Sequence, residues 1–259
     1  MCHTDLLTIW QNYSYLCDSN SIDAMVYRQL SESEFQDLGS RILYEDNHIL
    51  IVNKRIGEIT QGDKTGDECL ADAFKAFIAM RDLKPGQVYI GIPHRLDRPV
   101  SGIVILAKTS KAMERLSAMF REGEVHKKYW ALCCAKPDPE QGYLENWLVR
   151  NERQNKSFIS LHQRKDSKLA KLSYSYIKRT DRYHLVEVEL LTGRHHQIRC
   201  QLSGIGCPIK GDLKYGAPHS NIDGGICLHS HETAFIHPVR KTEIHVTAPV
   251  PESWAGVEE

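Results

Sequence analysis

Asp97 lies between Arg95 and Arg98, directly before an apolar run at residues 103–107 that predicts a buried strand. Arginines on both sides favour the ionised form of a carboxyl group. An ionised carboxylate can act as a nucleophile or a base, or it can be one half of a structural ion pair. Spacing alone favours the ion pair and leaves the two chemical roles open.

His94, Asp97 and Ser101 also supply the three residue types of a serine hydrolase. The serine lacks the G-x-S-x-G turn that exposes such a nucleophile, and three triad members so close together in sequence would be unusual. Hydrolysis is therefore the weaker interpretation of this segment.

A second polar segment follows a predicted strand that ends near residue 192. A short helix is expected next, and its first amide groups, together with Arg194, could receive a phosphate. Arg199 comes about one helical turn after His195 and His196, so these side chains can share a face.

Tyr129 opens a third segment, a strand preceded by Lys127 and Lys128. An aromatic ring beside basic residues can stack on a nucleobase while the lysines bind the backbone. A strand tyrosine is more often part of the core, so both interpretations stay open.

The elements that would position these residues are a mixture of strands and helices. The pattern ILYEDNHILIVNK predicts a hairpin with its turn at Asp46-Asn47, and residues 68–80 carry the apolar stripe of a helix. Ser110 is predicted to cap a helix that runs to about Arg121. Further strands are predicted in the three segments KKYWALCC, AKLSYSYI and YHLVEVELL. Without regular βαβ repeats, this order indicates an α+β fold with a mainly antiparallel sheet.

Residues 1–40 are polar and acidic, with a capping-box pattern that predicts a short helix over Ser31 to Leu38. We interpret residues 1–40 as an N-terminal extension and residues 41–259 as the catalytic domain.

Charge is unevenly distributed along a chain whose formal net charge is zero. Residues 83–216 contain 24 basic and 13 acidic side chains, whereas residues 1–82 contain 7 and 14. Such asymmetry is typical of a surface that binds a polyanion. The alternative is that the acidic ends fold over the basic middle and cancel it.

The 259 residues, 41% hydrophobic and 25% charged, indicate a globular protein and exclude collagen, coiled-coil and disordered chains. No run approaches the roughly 20 apolar residues of a membrane span, and MCHTDLLTIW does not resemble a signal peptide. A cytoplasmic protein is expected.

Metal and nucleotide cofactors are not indicated. None of the eight cysteines forms a C-x-x-C pair, and we interpret them as buried thiols. His229, His231 and His237 are interpreted as polar strand positions in preference to a metal site. No P-loop is present.

Taken together, these segments resemble the RluA-type RNA pseudouridine synthases. The family pattern H-R-L-D-x-x-T/S-S-G matches residues 94–102, K-x-Y-x-A matches 127–131, and T-G-R-x-H-Q-I-R matches 192–199. V-N-K-x-x-G at 52–57, G-x-P-I-x-G-D-x-x-Y-G at 206–216 and LHSHETAFIHP at 228–238 extend the likeness over about residues 41–251, in the family's order. One departure is Val100, where the family usually has threonine, so hydrogen bonds around this loop are expected to differ. The S4 domain of some relatives is not recognisable in residues 1–40.

The resemblance implies a pseudouridine synthase fold, with helices on the faces of a mixed sheet around a central catalytic cleft. It also implies an isomerase that converts uridine to pseudouridine in ribosomal or transfer RNA without cofactor or metal. Asp97 would act at C1′ of a flipped-out nucleotide, and Arg199 would pair with Asp97. Tyr129 would stack on the base and help to remove the C5 proton.

The same resemblance implies RNA contacts for a larger set of residues: Arg95, which would enter the gap left by the flipped base, and Arg98, Lys127, Lys128, Arg194 and His196. We expect a monomer that binds neither DNA nor membranes. A catalytically inactive RNA-binding protein of the same fold is the alternative, and a relative acting on another nucleoside is a further possibility. The target RNA and uridine cannot be inferred from these residues.

Overall fold

A computed structural model describes residues 27–62, 66–84, 86–254 and 257. Within them lie four α-helices: α1 Glu32–Ser40, α2 Leu70–Arg81, α3 Ser110–Glu122 and α4 Gln197–Gly204. The described strands are β1 Ile42–Glu45, β2 Ile49–Lys54, β3 Ser101–Ala107, β4 His126–Cys133, β5 Gln141–Asn151, β6 Lys156–Ser160, β7 Ser167–Thr180, β8 Tyr183–Leu190, β9 Leu228–Ile236 and β10 Glu243–Thr247. The predicted α+β class is confirmed, with mainly antiparallel pairing.

The chain divides into two units. The described residues of unit one fall within 27–54, 58–95 and 104–118, and those of unit two within 55–57, 96–103 and 119–257. Asp97, Tyr129 and Arg199 all belong to unit two.

In unit one, β1 and β2 form the predicted antiparallel hairpin. Asp46 closes its turn, because its Oδ1 accepts hydrogen bonds from the backbone nitrogens of His48 at 2.7 Å and Ile49 at 2.9 Å. A short carboxylate that binds the next backbone amides is the reason aspartate favours turns. β2 is almost completely buried, as its apolar sequence requires.

Helix α1 begins at the predicted capping box. The Ser31 hydroxyl accepts from the Glu34 nitrogen, and the Glu34 carboxylate accepts from the Ser31 nitrogen. Phe35 of α1 packs on Phe77 of α2, with ring centroids 4.7 Å apart, so α1 belongs to the core of unit one. Residues 1–26 lie outside the described residues, and a domain boundary at residue 40 stays a prediction.

Helix α2 follows the predicted apolar stripe, but the predicted cap of α3 is wrong by one residue. Thr109 supplies the capping oxygen, accepting from the Ala112 nitrogen at 3.2 Å, and its carbonyl accepts from the Met113 nitrogen. Ser110 is the first residue of the helix itself. Both residues are good caps, so sequence alone could not choose between them.

In unit two the strand order is β9-β4-β8-β7-β5-β6, with β10 paired to β9. The first residues of β3 join this sheet beside β9, through a short parallel pairing of Ser101 with His229 and Gly102 with Ser230. Gly102 has φ +111°, and a Cβ there would lie 2.3 Å from the Ser230 carbonyl oxygen. Only glycine allows the two backbones to approach this closely.

Six cysteines lie in the described residues, all as free thiols and five of them buried, as interpreted from the sequence. Cys2 and Cys17 lie outside the described residues. Among the helices of the described ranges, none has the length and apolar content needed to cross a bilayer.

Candidate active site

The Asp97 loop of unit two is held by main-chain hydrogen bonds. The Asp97 carbonyl accepts from the Val100 nitrogen at 3.0 Å, which closes a tight turn. The Gly57 nitrogen donates to the Arg98 carbonyl, and the Ile226 nitrogen donates to the Pro99 carbonyl. The loop is therefore fixed at three points, and the Asp97 side chain remains 34% exposed.

Arg199 reaches Asp97 from α4, but its paired contact is with another carboxylate. Nη1 of Arg199 lies 3.2 Å from Asp97 Oδ2. Its Nε and Nη2 atoms donate to the two oxygens of Asp212, at 2.6 and 2.9 Å. The expected pairing with Asp97 is therefore made by a single N–H, while the two-atom fork of the guanidinium binds Asp212. Since Asp212 is 1% exposed, this fork orients the guanidinium inside the protein.

The helix that carries Arg199 begins later than its sequence suggested. α4 starts at Gln197, so Arg194 lies in the preceding turn and not at the helix start. The Gln197 side-chain oxygen accepts from the Arg194 nitrogen at 3.0 Å and from the Thr192 hydroxyl at 2.8 Å. The Arg194 backbone nitrogen, one of the amide groups expected to bind a phosphate, is therefore already hydrogen-bonded within the protein.

His196 is the residue that precedes α4, and it has left-handed backbone angles of φ 53° and ψ 29°. Its Nε2 lies 3.4 Å from Asp97 Oδ2, and its Nδ1 lies 3.0 Å from the Tyr215 hydroxyl. Burial and the charge of Arg199 lower the pKa of His196 to about 2, so the imidazole is neutral at physiological pH.

Tyr129 lies on β4, where it pairs with Val188 of β8 and with Ser230 of β9. Burial raises the pKa of its phenol to about 12, with a further contribution from the negative charge of Asp97 and an opposing hydrogen bond to Ser230. The phenol is therefore protonated at neutral pH and lies within electrostatic range of the Asp97 carboxylate.

The serine-hydrolase interpretation is wrong. Ser101 is 2% exposed, and its hydroxyl is hydrogen-bonded to Nδ1 of His229 at 2.8 Å. Nε2 of His94 instead accepts a hydrogen bond from the Ile105 nitrogen. A buried serine bound to a different histidine cannot serve as the nucleophile of a triad with Asp97.

Comparison with known proteins identifies the class of this site. Residues 48–204 match the family model described as RNA pseudouridylate synthase. A ribosomal large subunit pseudouridine synthase C from Vibrio cholerae is 30% identical over 84% of this chain and 68% of its own length. The chain belongs to the RNA pseudouridylate synthase family.

Further relatives agree with this assignment. A ribosomal large subunit pseudouridine synthase D from Zymomonas mobilis is 31% identical over 86% of this chain and 73% of its own length. The solved structure of human RNA pseudouridylate synthase domain containing 4 superimposes with a TM-score of 0.72, at 24% identity, covering 85% of this chain and 92% of that one. The predicted pseudouridine synthase fold is confirmed, and the protein is an isomerase that acts on RNA.

The synthase presents its predicted RNA-contact residues in different ways. Arg95 and Arg98 are exposed. Burial lowers the pKa of Lys127, whose ammonium lies 5.5 Å from the centre of the Phe120 ring. Lys128 is partly exposed and forms a 3.4 Å ion pair with Glu232.

Among these predicted RNA contacts, Arg194 and His196 differ most in solvent exposure. Arg194 is exposed, and its Nε donates to the Leu169 carbonyl at 2.9 Å. His196 is 8% exposed and faces Asp97 and Tyr215.

Three residues of this synthase site were not identified from the sequence as functional: Asp212, Tyr215 and Ser157. The signal for two of them was present, because Asp212 and Tyr215 occupy the aspartate and tyrosine of the G-x-P-I-x-G-D-x-x-Y-G stretch. Ser157, whose backbone nitrogen donates to the Tyr215 hydroxyl at 2.8 Å, carries no such signal.

Proposed function

We propose that this synthase isomerises uridine in ribosomal RNA and that Asp97 is its catalytic carboxylate. The relatives from Vibrio cholerae and Zymomonas mobilis are named for the ribosomal large subunit, which favours ribosomal over transfer RNA. The reaction replaces the N1–C1′ bond with a C5–C1′ bond, C5 loses a proton and N1 gains one. Electrons are neither gained nor lost, so the proposal includes no cofactor or metal.

One observation carries the assignment of Asp97. Its carboxylate is partly exposed, yet its Oδ2 lies 3.2 Å from a guanidinium that is itself fixed by a buried aspartate. A charged carboxylate held in one orientation at an accessible surface can act at the sugar carbon C1′ while the uracil detaches and rotates. Attack as a nucleophile and removal of a sugar proton as a base are both compatible with this arrangement.

Tyr129 is proposed to stack on the uracil. Its phenol lies within electrostatic range of Asp97, and with a pKa of about 12 it contains little phenolate at neutral pH. Acceptance of the C5 proton by Tyr129 is therefore disfavoured, whereas stacking needs only the face of the ring.

Extrusion of the target nucleotide costs a few kcal/mol of lost stacking and pairing. Arg95, exposed two residues before Asp97, is proposed to enter the gap and offset part of this cost. Arg98, Arg194 and the stretch 150–182, with 10 basic and 3 acidic residues, are proposed to bind phosphates. Lys127 and Lys128 complete the proposed RNA contacts, whereas the buried His196, also predicted to contact RNA, faces Asp97. A monomer in the cytoplasm is also part of the proposal.

The decisive experiment compares wild type with Asp97→Asn on ribosomal RNA from cells that lack the gene. Asp97→Asn keeps the shape of the side chain and removes its charge. We expect pseudouridine formation to fall by about three orders of magnitude or more, with RNA affinity within about threefold of wild type. An Asp97→Asn protein with normal turnover would refute the role of Asp97.

The same RNA identifies the target. Mapping pseudouridine in ribosomal and transfer RNA, with and without the gene, is expected to reveal a missing position in large-subunit ribosomal RNA. A missing position only in transfer RNA would overturn the ribosomal assignment. Loss of no pseudouridine, together with RNA binding, would favour the inactive RNA-binding alternative.

A further inference from the structure

Two nitrogen atoms approach the same oxygen of Asp97. Oδ2 lies 3.2 Å from Arg199 Nη1 and 3.4 Å from His196 Nε2. Among the described residues, hydrogen bonds and ion pairs to this carboxylate reach Oδ2 and none reaches Oδ1. The two oxygens therefore differ: Oδ2 is contacted by two nitrogen atoms of the described residues and Oδ1 by none.

The surroundings of His196 determine which of its ring nitrogens carries the proton. A carboxylate only accepts hydrogen bonds, so the nitrogen that faces Asp97 must be the protonated one in a neutral imidazole. Nδ1 is then an acceptor, and it lies 3.0 Å from the Tyr215 hydroxyl. That hydroxyl accepts from the Ser157 backbone nitrogen at 2.8 Å. Its single proton has two acceptors within reach, Nδ1 of His196 at 3.0 Å and the Ser157 carbonyl oxygen at 3.2 Å, and the shorter contact is the one to Nδ1.

The ring of His196 is also fixed in orientation. It stacks on His195 with centroids 3.8 Å apart and planes 19° apart. The left-handed backbone at φ 53° is uncommon for a histidine and persists only where surrounding contacts impose it. His195 is itself anchored, since its carbonyl accepts from the Ser157 hydroxyl at 2.7 Å.

We propose that His196 is a positioning residue for Asp97: its Nε2–H, with Nδ1 accepting from the Tyr215 hydroxyl, holds Oδ2 together with Arg199 and leaves Oδ1 to act at C1′ of the uridine. This inference rests on the proposed role of Asp97. The 3.4 Å separation is long for a hydrogen bond, and catalytic contacts of this kind shorten when substrate binds.

The arrangement supplies something that Arg199 alone does not. A single N–H at 3.2 Å leaves the carboxylate free to turn about its Cβ–Cγ bond. A second donor on the same oxygen, arriving from a ring that cannot move, restricts that rotation. Contact of His196 with RNA, expected from the family resemblance, fits less well, because the imidazole is buried and neutral.

The test compares His196→Phe, which keeps a stackable ring and removes the donor, with His196→Gln, whose amide can return an N–H near the position of Nε2. We expect His196→Phe to lower the single-turnover rate about 10- to 100-fold, with RNA affinity within about twofold of wild type. His196→Gln is expected to recover at least about half of that loss on a logarithmic scale. His245→Phe, at an exposed histidine on β10 that pairs with Glu232, is the matched control and is expected to keep the wild-type rate.

A spectroscopic measurement covers the case in which His196→Phe folds poorly. Long-range ¹⁵N–¹H spectra of the histidine-labelled wild type identify the tautomer of each ring, and the His196→Gln spectrum assigns the signal. We expect a neutral Nε2–H form for His196 at pH 7. A protonated ring or the Nδ1–H form would overturn the inference, as would wild-type rates in both variants.

Asp97→Asn, measured in parallel, separates the two proposals. An inactive Asp97→Asn with a fully active, folded His196→Phe refutes only the role of His196. An active Asp97→Asn refutes the proposed function itself.

Discussion

Each unit of the molecule contains a cluster of partly buried charges, and the two clusters are centred on residues of opposite sign. In unit one, Glu45 accepts from Arg81 at 2.5 and 2.8 Å and also binds Lys108, so one acid meets two bases. Arg81 also pairs with Asp82. In unit two, Arg199 lies between Asp97 and Asp212, so one base meets two acids.

This difference separates a structural cluster from a chemical one. Both oxygens of Glu45 are occupied, and its side chain is 10% exposed. In unit two, Nε and Nη2 of Arg199 both donate to Asp212, so Asp97 receives only one hydrogen bond from the guanidinium. A third of the Asp97 side chain is exposed. A carboxylate with both oxygens bound by charged partners contributes to stability, whereas a carboxylate with only one oxygen bound remains available to react.

Of the changes that test this comparison, substitution of Arg199, the centre of the unit-two cluster, is expected to have the largest effect on stability and rate. Arg199→Ala would leave the buried Asp212 without its partner, which is expected to lower the free energy of unfolding by about 3–5 kcal/mol. It would also release Asp97, so we expect single-turnover rates to fall by more than about 100-fold while RNA binding changes far less. Urea unfolding, rapid-quench assays and filter binding measure these three effects.

Arg199→Lys is the matched variant, because it keeps the charge and loses the planar fork. We expect it to regain part of the stability and little of the rate. An Arg199→Ala protein with a near-normal rate constant would contradict the placement of Arg199 beside Asp97.

Glu45→Gln tests the structural half of the comparison. Burial opposes ionisation of Glu45, but the hydrogen bonds and charges of Arg81 and Lys108 outweigh it and hold the pKa of this carboxyl below its ordinary value. A depressed folded-state pKa gives stability that is complete above the unfolded pKa and disappears as the pH falls through the folded value. We therefore expect Glu45→Gln to lose about 2 kcal/mol near neutral pH, and the difference from wild type to shrink below about pH 4.

Catalysis at neutral pH should be unchanged in Glu45→Gln, measured below its unfolding transition. Glu145→Gln, which removes an exposed pair with Lys171, is the control and is expected to change stability by less than about 0.5 kcal/mol. A pH-independent loss in Glu45→Gln would show that its charge is not the source of the effect.

The smallest expected effect is at an exposed charge that belongs to neither cluster. Arg194→Ala is expected to weaken RNA binding about three- to tenfold and to reduce the slope of log affinity against log salt by about 0.9, the value for one lost phosphate contact on duplex nucleic acid. The measurement is a titration between about 50 and 200 mM salt. Arg240→Ala, outside the basic segment, should leave the slope unchanged, and an unchanged slope in Arg194→Ala would exclude a phosphate contact.

Local patterns predicted much of the framework. The hairpin turn at Asp46, the capping box at Ser31 and the apolar stripe of α2 each depend on residues within a few positions of one another, where spacing determines geometry. The predicted start of α4 was too early, because His196 adopts a left-handed backbone conformation directly before Gln197, and the helix-start pattern of the sequence does not contain this interruption.

The site itself depends on contacts that are remote in sequence. Arg199 and Asp97 are 102 residues apart, and their pairing was expected from family resemblance and not from spacing. The fork onto Asp212 was missed although only 13 residues separate the two side chains. The intervening chain folds back through a short 3₁₀ helix at Leu213–Tyr215, and nothing in the spacing of the charges indicates that return.

Gly102 allows β3 and β9 to approach each other closely beside the site. Its hypothetical Cβ would meet the backbone of Ser230, the residue that pairs with Tyr129 across β4 and β9. Five residues earlier in the chain lies Asp97. A Cβ at residue 102 would therefore push the segment that carries Asp97 away from β9, the strand that pairs with β4 at Tyr129. The close approach of these two backbone segments therefore depends on the absence of a single carbon atom, and a protein engineer could adjust it most directly there.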